Sequence, residues 1–503
     1  MRIGMLNPPG EFKVSKESRW PEFTKSGTLY FPAFLSYASA VLMEDKRHKV
    51  FLWDAIAKEW SWDVTINKVK EFSPDLLVME TTTPTLYKDI EFAELAKKEF
   101  PGVKIVFVGT HPSTLTIETM KLSPAIDMIA RGEYDYTILD IANALENGDD
   151  LQGVQGIAYR RNGEIVLTAE RPLVMDLDKI PFVSKAYKEF LDVHDYRYAL
   201  AQHPMIQIWT SRGCPARCNF CVLPQRFTMH GYRKRSPQNV VDEVQWIKEN
   251  LPDVKEIFFE DDTFTIDIPR ADAICKEIIS RKLKVVWSCN VRATLGYDIL
   301  KSMKDAGCRI LIVGYESGNQ AVLNQIRKGT SLKQAEEFTK NAQKVGLRIF
   351  GCFMIGLSGD TKETIEETYQ FAKKLNPDMV FFQHAMPFPG TEFYQWAKQN
   401  GYLLTENYNE WLDENGRLRC IVSYPGLTAA EIEALREHLM LRFYLRPKHI
   451  AYTVMRNLHP VEFVRVMKYA LDYIGYRLSK GRVKGHDQQG KLEVKALEIQ
   501  TKS

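Results

Sequence analysis

Between positions 1 and 148, short apolar runs alternate with longer amphipathic stretches. The runs 3–6, 50–53, 76–80, 104–109 and 128–131 have strand length, and helical spacing of apolar residues fills the gaps, as at 35–44 and 88–100. Strand–helix alternation at this period predicts a parallel, doubly wound α/β sheet. Ligands of such sheets bind at the carboxyl ends of the strands. Those ends carry Asn7-Pro-Pro-Gly10, Asp54, Glu80-Thr-Thr-Thr-Pro84, Gly109-Thr-His-Pro112 and Gly132-Glu133. They are small and polar, which suits a bulky polar ligand. No Gly-x-Gly-x-x-Gly is present, which disfavours a dinucleotide.

Residues 149–203 read as a connector. Within it, 157–160 and 164–168 flank Asn162-Gly163, a strong hairpin signal, and 176–182 leads away from it. Residues 204–390 then hold six strand-like runs, 206–210, 256–259, 285–288, 310–313, 348–353 and 379–383. Each but the last is followed by a helical pattern, which predicts a partial barrel of six β/α units with its chemistry at the carboxyl ends of the strands. The polar residues obey that rule. A cysteine-rich loop follows the first run and Glu260-Asp-Asp-Thr263 the second; Asn290 and Arg292 follow the third. Gly314-Tyr-Glu-Ser-Gly318, Gly356, and His384 with Pro387-Phe-Pro-Gly390 follow the last three. Residues 391–483 read as a mostly helical domain, amphipathic at 431–444, and 484–503 as a polar, disordered tail.

Composition adds bounds rather than a function. The 503 residues suffice for two to four domains, and 45% apolar with 26% charged content is ordinary for a globular protein. A net charge of +3 names no partner, and nucleic acid is not expected. The opening Met1-Arg-Ile-Gly-Met-Leu runs straight into a strand pattern and reads as no signal peptide. No long uncharged apolar run suggests a membrane span. Stretch 442–484 carries ten Lys/Arg against two acids and is rich in aromatics. It reads as a packed helical cap with a solvated face, or as a surface helix at an acidic partner or in peripheral membrane contact.

The chemistry is carried by Ser211-Arg-Gly-Cys-Pro-Ala-Arg-Cys-Asn-Phe-Cys221. Cubane [4Fe–4S] clusters are usually held by four thiolates, one per iron. Cys214, Cys218 and Cys221 can hold three irons, and with no fourth thiol nearby one iron stays open for a substrate or cofactor. Proline and glycine around Cys214 keep the segment a loop. Zinc prefers four ligands in paired sets, and a disulfide framework is improbable in a long, cysteine-poor chain. Cys275, Cys289, Cys308, Cys352 and Cys420 are isolated and read as core thiols. Free thiols with an iron–sulfur site point to a reducing cytoplasm. No catalytic His/Asp pair stands out, so no catalytic residue is expected beyond the cofactors.

The thiol spacing, with Phe220 before the last cysteine, resembles the radical S-adenosylmethionine (SAM) superfamily. That resemblance implies a partial barrel in which SAM binds the open iron and is cleaved reductively to a 5′-deoxyadenosyl radical. It further implies that Phe220, Asp262, Ser288, Arg292, Glu316 and Gly356 hold SAM, with Glu316 on its amino group or ribose. Beside such a barrel, the first domain resembles the Rossmann-like cobalamin-binding domain of one large subgroup. The Asp-x-His-x-x-Gly motif that supplies an axial histidine elsewhere is absent, so cobalamin is expected base-off. Thr81, Thr82, Thr83 and Tyr87 are expected below the corrin, and Gly109, Thr110, Gly132 and Glu133 along the nucleotide tail. Trp287-Ser-Cys-Asn290, Val313-Gly-Tyr-Glu-Ser-Gly-Asn-Gln320, Glu363-Thr-Ile-Glu-Glu-Thr368 and Phe443-Tyr-Leu-Arg-Pro447 look much like hopanoid-biosynthesis radical SAM proteins. The family implies an electron donor of flavodoxin or ferredoxin type and a protein, lipid or small-molecule substrate. Two reactions fit: C-methylation of an unactivated carbon, or ring remodelling to a cyclitol ether on a hopanoid or other lipid head group. A cobalamin- or cluster-based sensor is the non-enzymatic reading, and the array of polar residues at six strand ends argues against it.

Overall fold

The computed structural model describes residues 1–456 apart from 18–20, 22 and 24–26. Residues 1–443 form one compact unit, and a second begins at Tyr444. Of that second unit the described part holds the helix Pro447–Arg456, with Ile450, Val454 and Met455 exposed. Most of the basic, aromatic stretch and the whole expected tail lie outside the described residues.

The first sheet contains β1 (Arg2–Asn7), β2 (Lys49–Asp54), β3 (Leu76–Glu80), β4 (Lys104–Val108) and β5 (Met128–Ala130), the five strands the apolar runs predict. Their order is β2-β1-β3-β4-β5, all parallel. Two buried apolar clusters cover the two faces. One is built on the helix Ala33–Asp45 and includes Ile3, Val78 and Val106. The other includes Leu77, Phe107 and Ile129.

The connector differs from expectation. The hairpin β6 (Ile157–Arg161) and β7 (Glu164–Leu167) forms, with Asn162 and Gly163 both at positive φ, as a tight two-residue turn requires. It is not a free linker, because β6 pairs antiparallel with β5 and extends the sheet to seven strands. β5 is only three residues long, and β6 satisfies its outer edge.

The second sheet holds β8 (Met205–Ile208), β11 (Glu256–Phe259), β12 (Trp287–Val291), β13 (Cys308–Glu316), β14 (Arg348–Ile355) and β15 (Met379–His384). All neighbours are parallel and in chain order, the open barrel that six β/α units predict. β12 begins and ends later than the run 285–288 suggests, so Ser288 lies inside the strand and is fully buried. A separate ribbon, β9 (Ser211–Arg212) against β10 (Arg233–Lys234), closes the cysteine loop at its base.

The segment after the barrel is less helical than expected. Helices span Glu392–Gln399 and Ala429–Tyr444. Between them, 400–428 is held by isolated bridges such as Leu403↔Val422 and by the buried Trp411. Trp411 packs with Met386, Phe388, Leu418 and Ile421. Gly401, Gly416, Gly426 and Pro425 interrupt the helical pattern here.

The ribbon is joined to the carboxyl end of the first sheet by buried charge. Arg212 donates to both carboxylate oxygens of Asp135 (2.7 and 2.8 Å), and Arg233 to both of Glu133 (2.8 and 2.5 Å). The Arg212 guanidinium also lies 4.7 Å from the Tyr37 ring centroid. Removing one partner of a buried charge pair costs about 3–5 kcal/mol, because the other is left uncompensated. Arg212→Met is therefore expected to lower unfolding free energy by about that amount in denaturant titrations.

Candidate active site

The cysteine loop, 213–232, is the open end of the β9–β10 ribbon. Gly213 has φ +85°, and a Cβ there would lie 2.2 Å from the carbonyl oxygen of Gly231, so the two sides of the loop meet backbone to backbone. The Gln225 side-chain amide donates to the carbonyls of Cys218 (3.1 Å), Asn219 (3.2 Å) and Cys221 (2.8 Å). Asn219 is held from outside: its N–H donates to Ile326 O at 3.2 Å, and its carbonyl accepts from the Phe393 N–H at 3.0 Å. None of the three is in a disulfide; Cys214 and Cys218 are buried and Cys221 half-buried. Burial pushes the Cys214 thiol up, and Asp262, Arg292 and Cys218 lie close enough to act on it electrostatically.

Among the described residues no three His, Cys, Asp or Glu converge on a single ion. A cubane makes a different demand, one thiolate per iron. Three thiols on one pinned loop, none of them in a disulfide, suit that group's donor chemistry.

The residues expected around SAM fall into distinct environments. Asp262 accepts from the Thr228 hydroxyl at 3.0 Å. Its neighbour Asp261 is buried and accepts from Thr210 and Ser211, tying the segment after β11 to the start of the ribbon. Ser288 has a buried hydroxyl with no hydrogen-bond partner. Arg292, just past β12, donates to the carbonyl of Lys328 and, at 3.3 Å, to the Thr330 hydroxyl. Glu316, the last residue of β13, pairs with Lys328 Nζ at 2.7 Å. Sequence reading missed Lys328, because one lysine in a turn between two helices carries no signal of its own. Phe220 lines a cavity of about 30 Å³ with Cys221, Met354, Met386 and Phe388 among its walls. Gly356, also expected to hold SAM, follows β14. Here Ile432 lies 3.0 Å from the place of a Cβ, and the Gly356 carbonyl accepts from Tyr424. His384 faces Arg436 Nη1 at 3.1 Å, and burial first, then the Arg436 charge, push its imidazole far below the usual range.

The carboxyl edge of the first sheet is also polar and closely packed. Thr81, Thr82 and Thr83 are buried. The hydroxyls of Thr81 and Thr85 donate to Asp89, which also pairs with Lys16 at 2.6 Å. The hydroxyl of Thr83 faces His111 Nδ1 at 3.0 Å, and burial lowers that imidazole to about 3. Tyr87 stacks on Tyr408, 5.9 Å between centroids. Thr110 opens the short helix Thr110–Thr114 and is half-buried. The Gly132 N–H donates to Ser113.

Two residues of this edge also carry structural contacts. The Glu133 carboxylate pairs with Arg212 and Arg233. At Gly109, φ +117°, a Cβ would lie 2.3 Å from Thr81 O, so glycine there permits the close approach of the β3 and β4 ends. The hydroxyls and half-open backbone at Thr110 and Gly132 still suit a polar nucleotide tail. Glu17 and Glu80 each keep one buried carboxylate oxygen without a hydrogen-bond partner. Burial pushes both carboxyls up, Glu80 to about 8, and Asp54 to about 6.

Comparison with known proteins agrees with both halves. The B12 binding domain family matches residues 23–142, and the Radical SAM superfamily matches 209–372. An uncharacterized methyltransferase of Pyrococcus horikoshii is 31% identical over 89% of this chain and 93% of its own length. The anaerobic magnesium-protoporphyrin IX monomethyl ester cyclase of Rubrivivax gelatinosus is 30% identical over 72% of this chain and 66% of its own. Among solved structures, the radical SAM methyltransferase TsrM from Kitasatospora setae, with cobalamin and a [4Fe–4S] cluster bound, shares the fold. Its TM-score is 0.68 at 18% identity, over 89% of this chain and 91% of TsrM.

Two outcomes are expected from this geometry. Gln225→Leu removes three contacts that pin the thiol loop, each worth about 1 kcal/mol. The reconstituted variant should lose its iron–sulfur absorbance several-fold faster in air, roughly in proportion to the loosened loop. The second concerns pH. A carboxyl raised on folding favours the protonated form, so its stabilisation is full below its unfolded pKa and is lost as pH rises through the folded value. For Asp54 and Glu80 that loss runs up to about 6 and about 8. Between pH 7 and 8 the wild type should lose up to about 1.4 kcal/mol per pH unit relative to Glu80→Gln in denaturant titrations.

Proposed function

The chain belongs to the cobalamin-binding branch of the radical SAM superfamily, and from that premise we propose that it methylates an unactivated carbon of a protein side chain, lipid or natural product. The family uses a [4Fe–4S] cluster, SAM and cobalamin, which supply a 5′-deoxyadenosyl radical and a methyl carrier. One observation carries the reading. The ribbon that bears the three thiols is bolted through Arg212 and Arg233 to Glu133 and Asp135, at the carboxyl end of the first sheet. Radical formation and methyl delivery must reach one carbon, and this joint supports a fixed distance between their two sites. The full-length similarity to a methyltransferase points the same way.

The protein's own share is binding, orientation and exclusion of water. Cys214, Cys218 and Cys221 would hold the cluster. Asp262, Ser288 and Glu316 would meet SAM, and Phe220 with its apolar neighbours would shield the cluster's flank. Thr110 and Gly132 would meet the cobalamin tail, with the Thr81–Thr83 turn and Tyr87 beneath the corrin and no histidine after β1 to ligate cobalt. Among the described residues no helix is long and apolar enough to cross a membrane. Radical SAM enzymes need an electron donor, and a flavodoxin or ferredoxin fits a reducing cytoplasm. The basic segment from 442 onward would suit contact with an anionic membrane surface.

Ring remodelling without methyl transfer is a second reading, favoured by the similarity to the cyclase of Rubrivivax gelatinosus. A hopanoid or other lipid head group is its candidate substrate.

One experiment separates them. Anaerobically reconstituted protein is incubated with reductant, methyl-deuterated SAM and substrate extracts, and the products are read by mass spectrometry. Methylation predicts deuterium in a product together with 5′-deoxyadenosine and S-adenosylhomocysteine. Formation of 5′-deoxyadenosine with no labelled product and no S-adenosylhomocysteine would sink methylation and favour remodelling. Alanine at all three cysteines should abolish bound iron and sulfide, 5′-deoxyadenosine and labelled product.

A further inference from the structure

Glu316 and Lys328 are both more than nine-tenths buried and lie 2.7 Å apart. A buried ion pair is a poor stabiliser, since each charge loses its hydration. This pair is also built at conformational cost. Glu316 sits at φ +64°, at a register shift between β13 and β14 that spans Gly314 and Glu316. Both charged heads lie over Gly314, where a Cβ would be 2.3 Å from Glu316 Oε1 and 2.9 Å from Lys328 Nζ.

The turn that carries Lys328 rests on the thiol loop. Arg327 O lies 3.9 Å from Cys218 Sγ, and Ile326 O accepts from the Asn219 N–H at 3.2 Å. On its other side Arg292 Nη2 is directed at Lys328 O and Thr330. That commits Arg292, the other cation expected to meet SAM, to holding the turn. Lys328 is left as the buried ammonium beside the acid that would meet the SAM amino group.

We propose that Lys328 is the partner of the SAM carboxylate, so that Glu316 and Lys328 together match the ammonium and carboxylate of the methionine moiety. The inference rests on the SAM-dependent reading of this site. Two antiparallel charge pairs place every charge beside its opposite, whereas Glu316 alone would repel the ligand's carboxylate while attracting its ammonium. Arg292 then acts as a positioning residue, through the turn.

The test measures equilibrium binding of SAM and of decarboxylated SAM to anaerobically reconstituted wild-type and Lys328→Met protein, with iron and sulfide content checked in each. The variant should bind SAM about tenfold or more weakly, as expected for loss of a charge-assisted contact, while its affinity for decarboxylated SAM changes less than about threefold. Lys328→Arg should recover most of the SAM affinity. Equal weakening of both ligands would mean that Lys328 only holds Glu316 in place and would overturn the proposal. Unchanged SAM affinity, or tighter binding because Nζ occupies the ammonium's own position, would overturn it too. If Lys328→Met fails to take up a cluster, Lys328→Arg decides: SAM affinity retained supports the assignment, and parallel loss of both ligands removes it. A wild type that holds its cluster yet binds no SAM would remove the SAM reading itself, and this inference with it.

Discussion

Two arginines facing each other across a two-stranded ribbon constrain most of this molecule. Arg212 and Arg233 are register partners on β9 and β10. Like charges in that position repel, and both guanidiniums are buried. The arrangement is stable only because Glu133 and Asp135 approach from the first sheet with two carboxylates, in fork-to-fork geometry. The charges balance only when the two sheets are together, so the ribbon and the first sheet must fold as one frame. Leu223 and Phe227, from the far side of the thiol loop, enter the same apolar cluster as Ile3 and Val106.

The thiol loop inherits its shape from that frame. Its base is set by the ribbon, its crossing by the contact of Gly213 with Gly231, and its apex by the three carbonyl contacts of Gln225. Asn219 and Cys218 then touch the turn that presents Lys328. The path from the first sheet to the Glu316 pair is thus short and consists of buried polar contacts, each of which fails if its partner shifts. Such networks are costly when incomplete, which favours one arrangement of both sites.

The carboxyl edge of the first sheet shows the other side of this economy. Glu17 accepts from the Phe34 N–H at 2.7 Å, and so caps the helix Ala33–Asp45 from outside. Asp54 is held by Asn7, Tyr196 and the Ala57 N–H. Many polar groups at these strand ends are therefore spent on the protein itself. The groups left half-open, at Thr110 and Gly132, are few.

Periodicity alone determined the five parallel strands of the first sheet, the hairpin turn at Asn162-Gly163 and the six β/α units, because strand and helix spacing is written within windows of a few residues. Thiol spacing pointed to a cluster with one open iron for the same reason: Cys214, Cys218 and Cys221 lie within one loop. Only the tertiary structure decided that β6 anneals to β5, that 400–428 is a bridged loop around Trp411, and that the Glu133 carboxylate pairs with two arginines. It alone brought Lys328 to Glu316. The arginine pairs span 77 and 100 positions, Arg212 with Asp135 and Arg233 with Glu133. No local pattern encodes them, since a buried charge takes whichever opposite charge the packed backbone brings within reach.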